Sequence, residues 1–227
     1  RTKVLVFVSP SNPTGAVYPP ALVKAIGEWA VEHGIWVVTD EIYEHLIYGD
    51  AEFSSMPTLV PELASQCVIV NGVAKTYAMT GWRLGWGVWP KSMIGPATKL
   101  AINIHSCVNA PAQFAAQAAL QGPQDAVDVM RAAFQERRDL VHQRLNALPG
   151  ITSARPKGAF YAFPNISALG MTSKDIQDTW LNELHVATIA GSSFGDAGAD
   201  YVRLSFANSK ENITQALDRI EDWVKSL

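Results

Sequence analysis

The sequence has 227 residues, of which 48% are hydrophobic and 17% are charged, and its formal net charge is −3. This length can bury the core of one large or two modest domains, and the charge gives no indication of a nucleic-acid or membrane partner. The two cysteines, Cys67 and Cys107, lack the spacing of metal ligands, so we expect no metal and reduced thiols in a cytoplasmic protein.

Strands and helices alternate through the first half of the chain. Apolar residues 4–8 predict a parallel strand buried on both faces, and residues 35–39 predict a second one. Residues 19–33 between them predict a helix, which makes a right-handed βαβ unit. The apolar face of that helix is predicted to carry Leu22, Val23, Ile26, Trp29 and Ala30.

Two further apolar strands are predicted at residues 66–71 and 84–88, before helices at residues 92–104 and 110–121. The first of these helices is predicted to bury Ile94, Ala97, Leu100 and Ala101. The pattern favours the α/β class. We predict a large domain of mainly parallel sheet flanked by helices over residues 1–130, and a smaller α+β domain over residues 131–227.

The domain change is placed within a long amphipathic helix predicted at residues 123–148. Its charged side chains are interpreted as a solvated face, namely Arg131, Glu136, Arg137, Arg138 and Asp139. Residues 160–163 and 201–206 alternate in the way that a half-exposed antiparallel sheet requires. The remaining predicted helices are residues 172–183 and 209–224.

A lysine and an arginine stand out in the apolar and glycine-rich stretch from residue 68 to residue 89, namely Lys75 and Arg83. Unpaired cations are costly in such surroundings. One reading places Lys75 on a surface loop, where its stem covers apolar surface and its amine reaches water. The other reading makes it a desolvated amine that acts as a nucleophile towards a carbonyl group.

Three other polar residues lie in or just after predicted strands. Asn12 lies in a proline- and glycine-containing loop, where ligands bind in open α/β sheets, but an Asn-Pro pair is also a common turn former. Asp40 follows the second strand and is also a candidate helix cap, with Glu41 and Glu44 as solvated charges at the start of that helix. Arg203 alone reads as an exposed residue of a two-faced sheet.

Several stretches together resemble the class I and II aminotransferases, which are pyridoxal-phosphate (PLP) enzymes of fold type I in the aspartate aminotransferase superfamily. They are SNPTG at 11–15, DEIYEHLIYG at 40–49, GVAK at 72–75, GWRLG at 81–85, GSSFG at 191–195 and YVRLSFA at 201–207. Each match is permissive alone, but the set follows the family order over essentially the whole chain. One departure is Ala190, where the family often has proline.

The resemblance implies a role for each cofactor-binding residue. Lys75 would carry PLP as a Schiff base and, once released, would move the proton between the substrate Cα and the cofactor. Asp40 would keep the pyridine nitrogen protonated, which makes the ring a better electron sink. Tyr43 and Asn12 would bond the phenolic oxygen of the ring, and Arg83 would hold the phosphate.

The resemblance also implies the reaction and its substrates. Arg203 would grip the substrate α-carboxylate in a bidentate fork, with Asn12 beside it. The implied activity is transfer of an amino group from an L-amino acid to a 2-oxo acid, and the implied assembly is a homodimer. Some relatives bind acidic side chains with an arginine of the partner subunit, but no arginine occurs between Arg83 and Arg131.

The matched motifs belong to the carboxyl-terminal part of an aminotransferase. The sequence starts at Arg1 and enters a predicted strand at once, so we expect a fragment or a processed product. The glycine-rich helix start that binds the phosphate in relatives would then lie outside it. Two alternatives share these motifs: a related PLP lyase or decarboxylase, and the non-catalytic PLP-binding module of a transcription regulator. The second needs a basic DNA-binding surface, which the net charge does not supply.

Overall fold

The computed structural model describes residues 1–227, which divide into two compact units. The first unit comprises residues 1–10 and 17–129, and the second comprises residues 11–16 and 130–227. The short segment 11–16 therefore belongs to the second unit, although its neighbours in sequence belong to the first. None of the helices combines the length and the apolar character that crossing a bilayer requires.

A four-stranded sheet forms the centre of the first unit. Its strands are β1 (Val4–Val8), β2 (Trp36–Asp40), β3 (Cys67–Gly72) and β4 (Gly85–Val88), in this spatial order. The first three strands are parallel, and β4 is antiparallel to β3. Val8 pairs with Asp40, and Asp40 pairs with Val70, so the carboxyl ends of three strands meet at one edge. Open α/β sheets bind ligands at such an edge.

The helices of the first unit are α1 (Pro20–Glu32), α2 (Met56–Leu59), α3 (Lys91–His105) and α4 (Ala110–Gln121). The next helix, α5 (Asp125–Asn146), begins in this unit and continues into the second. Val23 and Ala30 of α1 pack into a core with Phe7, Ile35, Val37, Met56, Val60, Leu63 and Cys67. Leu22 and Trp29 are exposed, so the predicted buried face of α1 is only partly right.

Two other predicted buried surfaces are exposed. In β1, Phe7 is in the core, but Val4 and Val6 are 51% and 67% exposed, so the prediction of burial on both faces is wrong. Helix α3 buries no residue, and Ile94 and Leu100, which were predicted to be inside, are 51% and 61% exposed. In both cases the apolar pattern identified the element, but no layer of the described chain covers its apolar side.

The second unit contains a three-stranded antiparallel sheet. Its strands are β5 (Tyr161–Ala162), β6 (Ile189–Ala190) and β7 (Val202–Ser205), with β7 in the middle. Helices α6 (Ser173–Asn182) and α7 (Lys210–Ser226) follow side-chain caps from Thr172 and Ser209. The predicted alternation holds in β7, where Val202 and Leu204 are buried and Ser205 is exposed. It fails in β5, because both residues of that strand are buried.

Arg138 of α5 is buried, so its interpretation as part of a solvated face is wrong. Its Nη2 lies 2.8 Å from Asp139 Oδ1, and its Nη1 donates to the Pro156 carbonyl oxygen at 3.3 Å. Asp139 also pairs with Arg155 at 2.7 Å. A buried cation requires such partners, and the carbonyl group that helps to hold Arg138 is 18 residues away in sequence. Helical periodicity cannot reveal a partner at that distance.

Candidate active site

Asp40 ends β2, and a turn without a helix follows it. The Asp40 Oδ1 atom accepts a hydrogen bond from the Ile42 backbone N–H at 3.1 Å. This local bond is typical of an aspartate that starts a turn. The next helix begins only at Met56, so Asp40 does not cap a helix. The turn carries Tyr43, which is buried.

The two glutamates of this turn are not the solvated charges that we predicted. Glu41 is buried, and its Oε1 accepts from Ser55 Oγ at 2.8 Å and from Thr39 Oγ1 at 3.2 Å. Burial raises the pKa of Glu41 above its ordinary value, although both hydrogen bonds act in the opposite direction. Glu44 is partly buried, and its Oε1 accepts from Asn71 Nδ2 at 2.6 Å.

Lys75 lies in the loop that follows β3, and its Nζ lies 5.8 Å from the centroid of the Tyr43 ring. The side chain is partly buried beside this ring and is not fully exposed. Gly72, at the end of β3, faces the neighbouring strand. A Cβ there would lie 2.9 Å from the Leu84 carbonyl oxygen and 3.0 Å from Gly85 Cα, so glycine is required by strand packing.

Arg83 precedes β4, whose first residue, Gly85, pairs with Gly72 at the end of β3. It therefore lies at the same edge of the sheet as the Lys75 loop. Its backbone is left-handed, with a φ of 52°, and its exposed side chain donates from Nη1 to the Thr80 carbonyl oxygen at 3.0 Å. Such backbone is uncommon outside glycine and often occurs at ligand sites. We call Asp40, Tyr43, Lys75 and Arg83 the lysine cluster.

In the second unit the structure brings Arg203 and Asn12 together, with Arg203 Nη1 donating to Asn12 Oδ1 at 2.8 Å. The guanidinium carbon lies 4.5 Å from the Tyr161 ring centroid and 5.1 Å from that of Phe194. Arg203 Nε is buried without a hydrogen-bond partner in the protein. An orphaned buried donor is costly, and a ligand carboxylate would satisfy it. Arg203 is therefore not an ordinary exposed strand residue. We call Asn12, Tyr161, Phe194 and Arg203 the arginine cluster.

Backbone hydrogen bonds hold the segment that carries Asn12 on the second unit. Lys157 N and Gly158 N donate to the Gly15 carbonyl oxygen at 2.8 and 2.9 Å. Gly15 has a φ of 69°, and a Cβ there would lie 2.7 Å from Pro156 Cβ. Only glycine combines this left-handed backbone with so close an approach. The contact between Asn12 and Arg203 therefore depends on the glycine that closes the SNPTG stretch.

The two aromatic residues of the arginine cluster were not predicted to have a role. Tyr161 is buried and Phe194 is exposed. They lie in different segments from the strand that carries Arg203, so no periodic pattern relates them to it. One feature of the sequence could have predicted a contact between Phe194 and Arg203. Phe194 is the one aromatic residue of GSSFG, and this stretch lies close in sequence to the strand that carries Arg203.

Known proteins of one family are similar to this chain over nearly its whole length. The family model described as "Aminotransferase class I and II" matches residues 1–220. The chain is 51% identical to an aspartate aminotransferase of Streptomyces avermitilis over 97% of its length, and 43% identical to that of Geobacillus stearothermophilus over 100%. The structure of an aromatic aminotransferase from Pyrococcus horikoshii superposes on 99% of the chain with a TM-score of 0.95 and 41% identity.

The matched proteins are longer than this chain. It spans 56% and 58% of the two curated relatives, and 60% of the Pyrococcus horikoshii structure. The similarity thus extends over nearly all of this sequence but over little more than half of each relative.

Proposed function

Because this chain belongs to the class I and II aminotransferase family, we propose that it is part of a PLP-dependent aminotransferase. That enzyme would move an amino group from an L-amino acid to a 2-oxo acid. The observation that carries the proposal is the Lys75 amine, 5.8 Å from the buried Tyr43 ring, at the sheet edge where Asp40 ends β2. An amine beside a phenol ring, at a sheet edge that also carries a carboxylate, suits a cofactor that bears both an aldehyde and a basic ring nitrogen.

The donor set of the lysine cluster fits PLP group by group. Lys75 offers the primary amine for the aldehyde, and Asp40 offers a carboxylate for the protonated ring nitrogen. Tyr43 offers a hydroxyl group for the phenolic oxygen, and Arg83 offers a forked cation for the phosphate. When bound, PLP supplies an electron sink that stabilises negative charge at the substrate Cα.

Each of three residues of the lysine cluster would have a separate role in the reaction. Lys75 Nζ would take the proton from the substrate Cα as a general base and would release it to the cofactor as a general acid. The Asp40 carboxylate would maintain the positive charge on the ring nitrogen, and its bond to the Ile42 N–H fixes its orientation. Tyr43, which is buried, would donate a hydrogen bond from its hydroxyl group to the phenolic oxygen of the ring.

The arginine cluster supports recognition of the substrate carboxylate. Arg203 offers a planar fork, and its buried Nε lacks a partner in the protein. Tyr161 and Phe194 stack on the guanidinium group, and Asn12 holds one of its terminal nitrogens, so little rotational freedom is left to lose on binding. An α-amino acid or a 2-oxo acid presents the carboxylate that this fork requires.

L-Aspartate is the amino donor that the relatives favour, because two similar curated proteins are aspartate aminotransferases. The aromatic aminotransferase of Pyrococcus horikoshii makes an aromatic amino acid the second candidate donor. We also infer a homodimer from the family resemblance, and light scattering of the purified protein measures this directly.

Borohydride reduction tests the position of the cofactor. The full-length gene product is mixed with PLP, reduced and digested, and the phosphopyridoxyl group should be found on the peptide that contains Lys75. The K75A variant should lose this label, whereas K91A, a change at an exposed lysine of α3, should keep it. Label on Lys91 or Lys99 in the wild-type protein would contradict the proposal.

Product analysis tests the reaction type. With L-aspartate and 2-oxoglutarate as the test pair, the enzyme should form oxaloacetate and glutamate in equal amounts, with no turnover when the 2-oxo acid is omitted. Continuous release of carbon dioxide or of a side-chain fragment without a 2-oxo acid would instead identify a decarboxylase or a lyase.

A further inference from the structure

A side-chain hydrogen bond joins the two segments that carry Tyr43 and Lys75. Asn71, near the end of β3, donates from Nδ2 to Glu44 Oε1 at 2.6 Å. Glu44 directly follows Tyr43, and Asn71 lies four residues before Lys75. Neither residue belongs to the lysine cluster, and neither has a role in the proposed reaction.

Asn71 is buried, and both ends of its amide are engaged. While Nδ2 donates to Glu44, Oδ1 accepts from the Gly72 backbone N–H at 2.7 Å. The amide is therefore held in one orientation and connects the Glu44 carboxylate to the backbone that enters the Lys75 loop. A hydrogen bond to a charged acceptor is stronger than one between neutral groups, so this connection is a firm one.

Other contacts bring the same two segments together. The Glu41 backbone N–H donates to the Val70 carbonyl oxygen at 3.0 Å. The Ile42 side chain packs against Gly72. A Cβ atom added to this glycine would lie 3.3 Å from Ile42 Cδ1. The ends of β2 and β3 are thus in van der Waals contact, and the bond between Asn71 and Glu44 is a side-chain link across this junction.

Glu44 also interacts with groups beyond Asn71. Its Oε1 lies 3.6 Å from His45 Nε2 on its own turn. The pKa of Tyr77, two residues after Lys75, is raised by partial burial and then by the negative charge of Glu44. The charge of Glu44 therefore acts on a residue of the Lys75 loop.

We propose that Asn71 and Glu44 form a positioning pair that fixes the turn bearing Tyr43 against the loop bearing Lys75. Their part in cofactor binding rests on the proposed function, but the structural link between the two segments does not. Neither residue needs to touch the cofactor, because the pair acts through the segments that it joins. A displacement of either segment changes the separation of the Lys75 amine from the Tyr43 ring.

Substitutions of Asn71 and Glu44, singly and together, test whether the two residues act through their shared hydrogen bond or independently. N71D places a carboxylate against Glu44, and two like charges at hydrogen-bond distance repel each other. E44Q keeps an acceptor for Asn71. The double variant N71D/E44Q restores a hydrogen bond with the donor and the acceptor exchanged, and the carboxylate that N71D introduces can still accept from the Gly72 N–H.

The matched control is S55A, which removes a 2.8 Å bond to Glu41 on the same turn. That bond does not involve β3 or the Lys75 loop, so its loss should disturb only the turn. Amide hydrogen exchange is measured in the cofactor-free full-length protein over residues 41–46 and 72–79, and the dissociation constant for PLP is measured separately by absorbance.

N71D should speed up exchange in both segments together and raise the dissociation constant for PLP by about tenfold, the size expected for one charge-assisted hydrogen bond. E44Q, in which a neutral acceptor replaces a charged one, should show a smaller change than N71D. N71D/E44Q should recover most of the loss, and S55A should affect only residues 41–46. Failure of the double variant to recover, or faster exchange in a single segment, would overturn the proposal.

The two readouts separate this inference from the proposed function. If the wild-type protein does not bind PLP at Lys75, the proposed function fails, but hydrogen exchange in the cofactor-free protein still decides whether the pair links the two segments. If PLP binds at Lys75 and exchange in N71D is unchanged, the positioning pair fails and the proposed function stands.

Discussion

The lysine cluster and the arginine cluster are built in different ways. The lysine cluster takes its residues from the ends of strands β2 and β3 and from the segment before β4, so the backbone of a sheet sets their positions. The arginine cluster is held by direct contacts between its own side chains: a 2.8 Å bond from Arg203 to Asn12 and two aromatic rings against the guanidinium group.

The difference in construction agrees with the ligands that we propose, namely PLP for the lysine cluster and the substrate carboxylate for the arginine cluster. A cofactor that stays bound can itself help to order the groups around it. A substrate that enters and leaves in every turnover gains from a receptor that is already ordered, because the entropy of ordering is not lost each time. Three substitutions, one in the lysine cluster and two in the arginine cluster, test this contrast. A fourth, at Glu41 between Asp40 and Tyr43, tests the stability of the turn that carries them.

The largest effect is expected for D40N in the lysine cluster. Asparagine keeps an oxygen that accepts from the Ile42 N–H at 3.1 Å, but it removes the charge that we assign to the ring nitrogen. We expect kcat to fall by about 10²–10³-fold, the size seen when one preorganised electrostatic contact is lost. Steady-state kinetics with L-aspartate and 2-oxoglutarate measure this. A variant with near-normal turnover would reduce Asp40 to a turn-forming residue.

The next largest effect is expected for R203K in the arginine cluster. Lysine keeps the charge but loses the planar fork and the stacking on Tyr161 and Phe194. We expect KM for amino acids to rise by about 10–100-fold, since charge-assisted hydrogen bonds are lost. Amines without a carboxylate should be affected much less, and R155K, at an exposed ion pair, serves as the control. Equal losses for both substrate types would indicate a folding role for β7.

A smaller effect is expected for F194A. Phe194 is exposed, so its truncation should leave the fold intact, but its ring lies 5.1 Å from the Arg203 guanidinium carbon. Loss of one cation–π contact at an accessible site should raise KM by about two- to fivefold, with kcat little changed. Steady-state kinetics on F194A and F194Y test whether stacking orders Arg203. An unchanged KM in F194A would show that Asn12 and Tyr161 are sufficient.

The smallest effect is expected for E41Q, and it concerns stability. Burial raises the pKa of Glu41 above its ordinary 4.5, so the folded protein keeps this proton after the unfolded chain has lost it. The free energy of unfolding should therefore fall as pH rises from about 4.5 through the folded pKa, and E41Q should lack this contribution. Urea unfolding of both proteins at about pH 4.5 and pH 7 measures the difference, and parallel pH profiles would contradict it.

The sequence was sufficient to predict the elements that carry the site. Continuous apolar runs located the strands of the parallel sheet, and Asp40 and Lys75 lie at or after the ends of two neighbouring strands, as expected for a ligand edge. Alternation in β7 predicted that Val202 and Leu204 face inward while Arg203 does not. The roles of these residues in binding and catalysis remain predictions.

The failures share a physical cause, which is that periodicity describes one element at a time. Glu41 is buried, and its carboxylate accepts a hydrogen bond from the Ser55 hydroxyl group. This bond lowers the cost of burying the carboxylate, and its donor lies 14 residues away in sequence. Ile94 belongs to an apolar face of α3, but that face is buried only if another layer packs against it. The contact between Arg203 and Asn12 spans 191 positions, and only the folded chain brings them together.

The second unit is discontinuous in sequence, and this limits how the protein can be divided. A polypeptide of residues 130–227 would look complete by chain continuity, but it would lack the segment 11–16. Its Lys157 and Gly158 amides would lose the Gly15 carbonyl oxygen, and Arg203 would lose Asn12. Proteolytic excision or separate expression of this half would therefore remove part of the arginine cluster. A permuted chain that joins residues 11–16 to the second half by a linker would keep the two together.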